Sequence, residues 1–231
     1  MHGNFLYRLT VLAVRIYARL LFKLDVHWRS PLPAGPKLFV ANHPSASDPF
    51  VITQLLYSRH LSVLISGNAF EMPIFGGFLH RIEQISAAPG QTKSAFEQAL
   101  ERIRAGHSVA IFPEGIVSPR QGGCHPPRSG AARLALSTGV PVIPVGIYLP
   151  RERSHYISSR LTGKPTAAYW YLHGPYGMTV GKPLQFQGQV EDPEAVRSVT
   201  ASIMENIALL ADASEKRVRG FFPAPAGLTS M

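Results

Sequence analysis

The sequence predicts an α/β fold: a single domain with a mixed, largely parallel sheet flanked by helices, plus an N-terminal amphipathic helix. Two observations carry this. From residue 37 onward, short β-rich runs alternate with helical stretches, the pattern of a substantially parallel sheet. Apolar residues make up 45% of the 231 residues and charged residues 16%, so the chain can bury a core, and its length suits one domain of ordinary size. No internal repeat or linker divides it. The expected organisation is a membrane-interface helix over residues 1–24, the folded domain over 25–219 and a loosely ordered tail over 220–231.

Residues 4–23 come first. Phe5, Leu6, Leu9, Leu12, Ala13, Ile16, Tyr17, Leu20 and Leu21 recur at three- and four-residue spacing, while Arg8, Arg15, Arg19 and Lys23 gather along one flank. This is a basic amphipathic helix, suited to lying on an anionic membrane surface with its arginines at lipid phosphates. The competing reading is a helix packed on its own domain. No stretch reaches the roughly 18 apolar residues of a membrane span, and the charges run through the apolar pattern instead of preceding it as in a secretory signal.

Strands are expected at 37–41, 61–65, 82–86, 108–112, 142–149 and 167–173. Helices are expected at 49–58, 91–105, 130–137 and 193–211, the last opening with Asp192 as cap before Pro193. Residues 151–164 carry Arg151, Arg153, Arg160 and Lys164 against one acid and read as an exposed basic loop. The Pro-, Gly- and Ala-rich residues after Arg219 read as the tail.

Twenty-three Lys and Arg against fourteen Asp and Glu leave a net charge of +9, so anionic partners are expected. Nucleic acid is not among them, because no nucleic-acid scaffold motif occurs. The single cysteine, Cys124, excludes an intramolecular disulfide and argues against structural zinc.

Two segments carry chemistry. Asn42-His43-Pro44-Ser45-Ala46-Ser47-Asp48-Pro49 follows the strand ending at Ala41, and carboxyl ends of strands are where α/β sheets place their sites. The two prolines keep the segment looped, so Asp48 can approach His43. A carboxylate on one imidazole nitrogen leaves the other free as a base, which would then act on a substrate's own hydroxyl. Asp48-Pro49 also makes a helix cap and first-turn pair, and both uses fit one carboxylate. The second segment, Phe112-Pro113-Glu114-Gly115, again follows a strand; by itself it is a turn in which Gly115 supplies positive φ.

Together these segments resemble the glycerolphosphate and lysophospholipid acyltransferase family. Its patterns occur here in order: Asn42-His43 with Asp48 and also Ser45, then Gly77-Phe78-Leu79-His80-Arg81, then Phe112 to Gly115, then Val140-Pro141-Val142-Ile143-Pro144-Val145. Pro73-Ile74-Phe75-Gly76 also fits the turn before the second block, and the resemblance spans about residues 38–149. It implies transfer of a fatty acyl group from a thioester, on coenzyme A or acyl carrier protein, to a hydroxyl of a membrane lipid acceptor. The first acceptor implied is 1-acylglycerol-3-phosphate, in phospholipid biosynthesis at the cytoplasmic face of a membrane.

By the same resemblance His43 is the general base and Asp48 its orienting partner, both catalytic, and no metal or resident cofactor is implied. Substrate-binding roles fall to Asn42, Ser45, Arg81, Phe112, Pro113, Glu114 and Gly115, with Arg81 on phosphate and Glu114 on a hydroxyl or in a network holding the site. Backbone N–H groups near Gly115 are candidates for the oxyanion. The family continues its third block with Thr-Arg-Ser, whereas Ile116 and Val117 precede Ser118 here, so Arg120 and Arg128 are candidates to replace the arginine. The family's lysine before the Pro-x-x-Gly turn is also missing, since Ser66-Gly67-Asn68 carries no charge. A transacylase, or an acyltransferase for another lyso- or hydroxylated lipid, shares this chemistry. A non-catalytic module that binds anionic lipid is the reading from a different class. A serine hydrolase is disfavoured because no Gly-x-Ser-x-Gly elbow occurs.

Overall fold

The computed structural model describes residues 2–56, 60–159 and 166–221. Its centre is a seven-stranded sheet of β1 (Phe22–Trp28), β2 (Leu38–Ala41), β3 (Leu61–Ser66), β4 (Ile85–Ala87), β5 (Ser108–Ile111), β6 (Val142–Tyr148) and β9 (Gly174–Val180), in the order β1-β9-β6-β2-β5-β3-β4. All neighbours pair in parallel except β6 and β9. This is the mixed, largely parallel sheet that the alternating pattern predicts.

Burial explains why its central strands read as unbroken apolar runs. Phe39 and Ala41 of β2 enter the core on one face, while Leu38 and Val40 enter the core on the other. The first face is covered by α1 (His2–Leu21), α2 (Asp48–Val51) and α4 (Phe75–Arg81); the second by α5 (Thr92–Arg104), α6 (Gly130–Thr138) and α7 (Pro193–Phe221). A short helix, α3 (Gly67–Phe70), precedes α4.

Several boundaries differ from expectation. The first helix stops at Leu21, and Phe22 opens β1, so the expected division at residue 24 falls inside a strand. The helix expected over 49–58 starts at Asp48 and tightens at Ile52–Leu56 into a 3-10 turn, while residues 57 and 58 lie outside the described residues. The strand expected over 167–173 is β8 (Thr166–Trp170), which leaves the main sheet and pairs antiparallel with β7 (His155–Ser159). The basic segment expected as loop therefore supplies one strand of a hairpin, after a 3-10 turn at Arg151–Arg153; Arg160 and Lys164 lie outside the described residues.

The last helix runs ten residues past Ala211, with Lys216–Asp212 (2.7 Å) and Arg219–Glu215 (2.8 Å) pairs one turn apart and Arg217 Nε bonded to Asp25 Oδ2 of β1 at 2.7 Å. It takes in residues 220 and 221 of the expected tail; residues 222–231 lie outside the described residues.

The first helix is two-faced. Tyr7, Val11 and Ala18 are buried in the core, and Tyr7 stacks on His60 at 4.1 Å while its hydroxyl accepts the Leu61 N–H at 3.0 Å. Burial pushes the His60 pKa down to about 4, which keeps that stacked ring neutral. About 160° around the helix, Phe5, Leu9, Leu12, Ile16 and Leu20 are all exposed.

The longest helix meets the sheet by close backbone approach. A Cβ on Gly146 of β6 would lie 2.0 Å from the Ala211 nitrogen and from the Leu210 carbonyl carbon of α7, and one on Gly177 of β9 would lie 2.6 Å from Val218 Cγ2. Ser214 Oγ donates to the Gly146 carbonyl at 2.8 Å across the same contact. Because the obstructing atoms are helix backbone, Gly146→Ala must push α7 off the sheet. We expect it to lower unfolding stability by about 3 kcal/mol, the upper range for overpacking, as measured by denaturant titration.

Candidate active site

The site begins where β2 ends. Asn42 is buried and its side chain pairs like a strand residue: Nδ2 donates to the Ile147 carbonyl at 2.8 Å and Oδ1 accepts the Ile147 N–H at 2.7 Å. This clamp to β6 fixes where the next residue, His43, leaves the sheet. The chain then turns back at once. The Asp48 N–H donates to the Ser45 carbonyl at 3.0 Å, and the Ser45 N–H donates to Asp48 Oδ2 at 2.8 Å.

That fold-back brings Asp48 Oδ2 within 2.9 Å of His43 Nδ1, with the carboxylate wholly buried and the imidazole 13% exposed. Because a carboxylate only accepts, Nδ1 carries a proton in this contact, and in the neutral ring Nε2 is then the nitrogen left to accept one. Phe112 stacks on the His43 ring at 4.3 Å and fixes its plane. The structure thus brings His43 and Asp48 into contact. The capping use of Asp48 is not realised: Ser47 is the cap position, Asp48 is the first residue of α2, and both carboxylate oxygens are taken by His43, the Ser45 N–H and the Tyr176 hydroxyl.

Glu114 follows β5 and is also buried. Its Oε1 accepts the His43 N–H at 3.0 Å and the Ser118 hydroxyl at 2.6 Å, and its Oε2 accepts the His125 N–H at 2.7 Å. The Ser118 N–H donates to the His43 carbonyl at 2.7 Å. Glu114 therefore ties the loop that carries His43 to the segment after the Phe-Pro-Glu-Gly turn. Arg151 donates to the Pro119 and Gly123 carbonyls and holds the outer side of that segment.

Gly115 has φ +70° and Arg128 lies directly over it, its Nε 2.9 Å from where a Cβ would stand. The Gly115 N–H donates to the Phe112 carbonyl at 2.9 Å, so this amide is engaged within the turn. Pro113 is buried and its carbonyl accepts the Arg128 N–H at 2.8 Å. Arg120 is exposed and sits 5.4 Å from the centre of the Tyr169 ring. Ser45 is buried and faces protein: its hydroxyl pairs with the Ser47 hydroxyl at 2.9 Å and accepts the Tyr171 N–H at 2.8 Å.

The structure thus gathers His43, Asp48, Phe112, Pro113, Glu114, Gly115 and Arg128 around the ends of β2 and β5, while Asn42 and Ser45 hold that arrangement from behind. Arg81 closes α4 with an exposed side chain, and no contact among the described residues ties it to His43 or Glu114. Among the described residues, no three His, Cys, Asp or Glu side chains gather as metal ligands.

Sequence reading missed Tyr176 of β9, whose hydroxyl donates to Asp48 Oδ1 at 2.6 Å. It expected β8 as a strand but missed β7 and their pairing, which brings the Tyr169 carbonyl to the Ala46 N–H at 2.9 Å. A buried tyrosine hydroxyl needs a partner, but nothing in the local pattern names one 128 residues away.

Residues 23–148 match the family model described as Acyltransferase. Over 171 residues the chain is 28% identical to the chloroplastic 1-acyl-sn-glycerol-3-phosphate acyltransferase BAT2 of Brassica napus, covering 71% of this chain and 45% of that protein. Over 143 residues it is 25% identical to the 1-acyl-sn-glycerol-3-phosphate acyltransferase of Borreliella burgdorferi, covering 59% of this chain and 54% of that protein. The chain spans about half the length of these curated relatives. Its fold is similar to the crystal structure of the 1-acyl-sn-glycerophosphate acyltransferase PlsC of Thermotoga maritima, with a TM-score of 0.58 at 17% identity over 94% of this chain and 81% of that one.

Both Glu114 oxygens accept N–H or O–H donors, and Gln must turn its own NH₂ toward one of them. Glu114→Gln should lower stability by about 1–3 kcal/mol, read from the denaturation midpoint. It should also speed hydrogen exchange at the His43 and His125 amides, which unchanged exchange would contradict.

Proposed function

The chain belongs to the acyltransferase family, and from that premise we propose that it moves a fatty acyl group from an acyl thioester, on coenzyme A or acyl carrier protein, to a hydroxyl of a lysophospholipid in phospholipid biosynthesis. 1-Acylglycerol-3-phosphate is the first acceptor. The observation that carries the reading is the His43–Asp48 contact, with Nδ1 held by a buried carboxylate and Nε2 without a partner among the described residues.

Neutral His43 takes the proton of the acceptor hydroxyl through Nε2 as the oxygen attacks the thioester carbonyl. The tetrahedral intermediate collapses with cleavage of the carbon–sulfur bond, and the imidazolium returns its proton to the departing thiolate. The carboxylate of Asp48 stabilises the imidazolium between these steps. Asn42, Ser45, Phe112, Pro113 and Glu114 act by positioning, since their polar groups or rings are already engaged within the protein. Arg128, over Gly115, and Arg120, on the same segment, supply cationic contacts for an acceptor phosphate, with Arg81 of α4 as a further candidate. The scheme calls on no metal or cofactor.

One observation favours a second acceptor class. Ile116 follows Gly115 and is 51% exposed, an apolar surface where the related pattern would continue toward a cation. A lyso- or hydroxylated lipid without a terminal phosphate suits that surface. Mass spectrometry of the products formed from a mixed lipid extract and an acyl thioester distinguishes the two acceptors, and would also reveal transacylation.

The first helix supports a peripheral membrane location. Its inner face is buried in the domain, its outer face is apolar, and Arg8, Arg15 and Arg19 lie between the two. No helix among the described residues is long and apolar enough to cross a membrane. We place the protein on the cytoplasmic face, whose anionic leaflet suits the +9 charge.

His43→Ala should slow acyl transfer by about 10²-fold or more while vesicle binding persists; full activity would remove the mechanism. Changing Arg8, Arg15 and Arg19 together to Glu should weaken binding to anionic vesicles roughly 100-fold, at about 1 kcal/mol for each basic residue near the surface. Co-sedimentation measures this, and unchanged binding would move the contact to another part of the molecule.

A further inference from the structure

Asp48 is touched from behind by a residue that the reaction scheme does not yet use. Tyr176 stands in β9, wholly buried, beside Phe22 at 5.3 Å and Tyr171 at 6.4 Å between ring centres. Its hydroxyl lies 2.6 Å from Asp48 Oδ1, while His43 Nδ1 and the Ser45 N–H both bond to Oδ2. We propose that Tyr176 is a positioning residue for the acyl transfer: by donating its phenol proton to the far oxygen of Asp48, it fixes the carboxylate and sets how strongly Asp48 holds the His43 imidazolium. The proposal rests on the reading of His43 as the general base.

Two physical effects follow from this bond. The terminal torsion of an aspartate is soft and roughly two-fold, so a carboxylate held at one oxygen alone can turn, and a bond at each oxygen locks it. Charge is also shared. A carboxylate that already accepts a short phenol hydrogen bond presents less negative charge to the imidazole, and so holds the imidazolium less tightly than an unshared one would. A base held too strongly in its protonated form would be unavailable for the acceptor's proton.

Tyr176 is suited to donate. Burial and the neighbouring carboxylate push its pKa well above that of a free tyrosine, so the proton stays on the phenol. The other titratable groups facing this assembly are few among the described contacts. Glu114, from the segment after β5, accepts the His43 backbone N–H, and Tyr171 stands behind Tyr176 with its own hydroxyl donating to the Pro175 carbonyl at 2.9 Å. Neither reaches the Asp48 carboxylate, which leaves Tyr176 as the side chain other than His43 that bonds to it.

The test compares Tyr176→Phe and 3-fluorotyrosine at position 176 with the unmodified protein. Tyr176→Phe should lower kcat roughly tenfold with acceptor KM unchanged, as for loss of a hydrogen bond to a charged group. It should raise the acid-side midpoint of the rate profile by about half a unit to one unit. The His43 imidazole titration, followed by NMR without substrates, should move the same way. The fluorinated phenol is more acidic and a stronger donor, so it should move that titration in the opposite direction, and it keeps the test open if the Phe variant fails to fold. A purely structural role would lower the melting temperature and leave the His43 titration in place, which overturns the proposal, as does a change confined to KM. If the unmodified protein acylates no lipid, the reaction reading fails separately, and the substrate-free titration still decides whether Tyr176 acts on His43.

Discussion

A fully buried carboxylate organises this molecule. Asp48 has no exposure to solvent, and an ionised group in that position is tolerated only where donors reach it. Three do, and they come from different levels of the structure. The Ser45 amide is local and closes the fold-back after β2. The His43 imidazole comes from the start of the same loop. The Tyr176 hydroxyl arrives from β9, the strand whose antiparallel pairing with β6 breaks the otherwise parallel run. The chain just before β9 covers the 43–48 loop elsewhere, through the Tyr169 carbonyl on Ala46 and the Tyr171 amide on Ser45.

Glu114 meets a related requirement on the other side of His43. Its buried carboxylate also receives donors, but among them are two backbone amides and a serine hydroxyl, with no imidazole ring bonded to it among the described residues. One carboxylate therefore bonds the imidazole ring and the other anchors the backbone on which that ring hangs. The difference lies in what each oxygen faces, since the two groups are chemically alike and equally sequestered.

Much of this was legible in the sequence, for identifiable reasons. The central strands are short apolar runs, and the two reactive segments each follow one directly, so the carboxyl-edge location of His43 and Glu114 could be read without coordinates. The His43–Asp48 approach followed from prolines that forbid a continuous helix. The edge of the sheet was not legible. Phe22 continues an apolar helical pattern with no breaker before it, so the first residues of β1 were absorbed into the helix and the rest of the strand was not assigned. Gly174-Pro175 opens β9 with residues that signal a turn, and Tyr176 was hidden with it. Asn42 was given a substrate-binding role by the resemblance, and only the pairing with Ile147 shows that both ends of its amide are taken by β6. The two faces of the first helix could not be assigned from periodicity, because apolar residues lie on both.

That two-faced helix bears on how the protein behaves away from lipid. Phe5, at 73% exposure, and Leu20, at 77%, mark two ends of a stripe that water solvates poorly. In a lipid-free buffer the cheapest cover for such a stripe is another like it, so copies should associate through it, and a detergent or bilayer that fills it should disperse them. The particle size measured in solution then reports which amphiphile is present, and a dimer seen without one is a property of the solvent as much as of the chain.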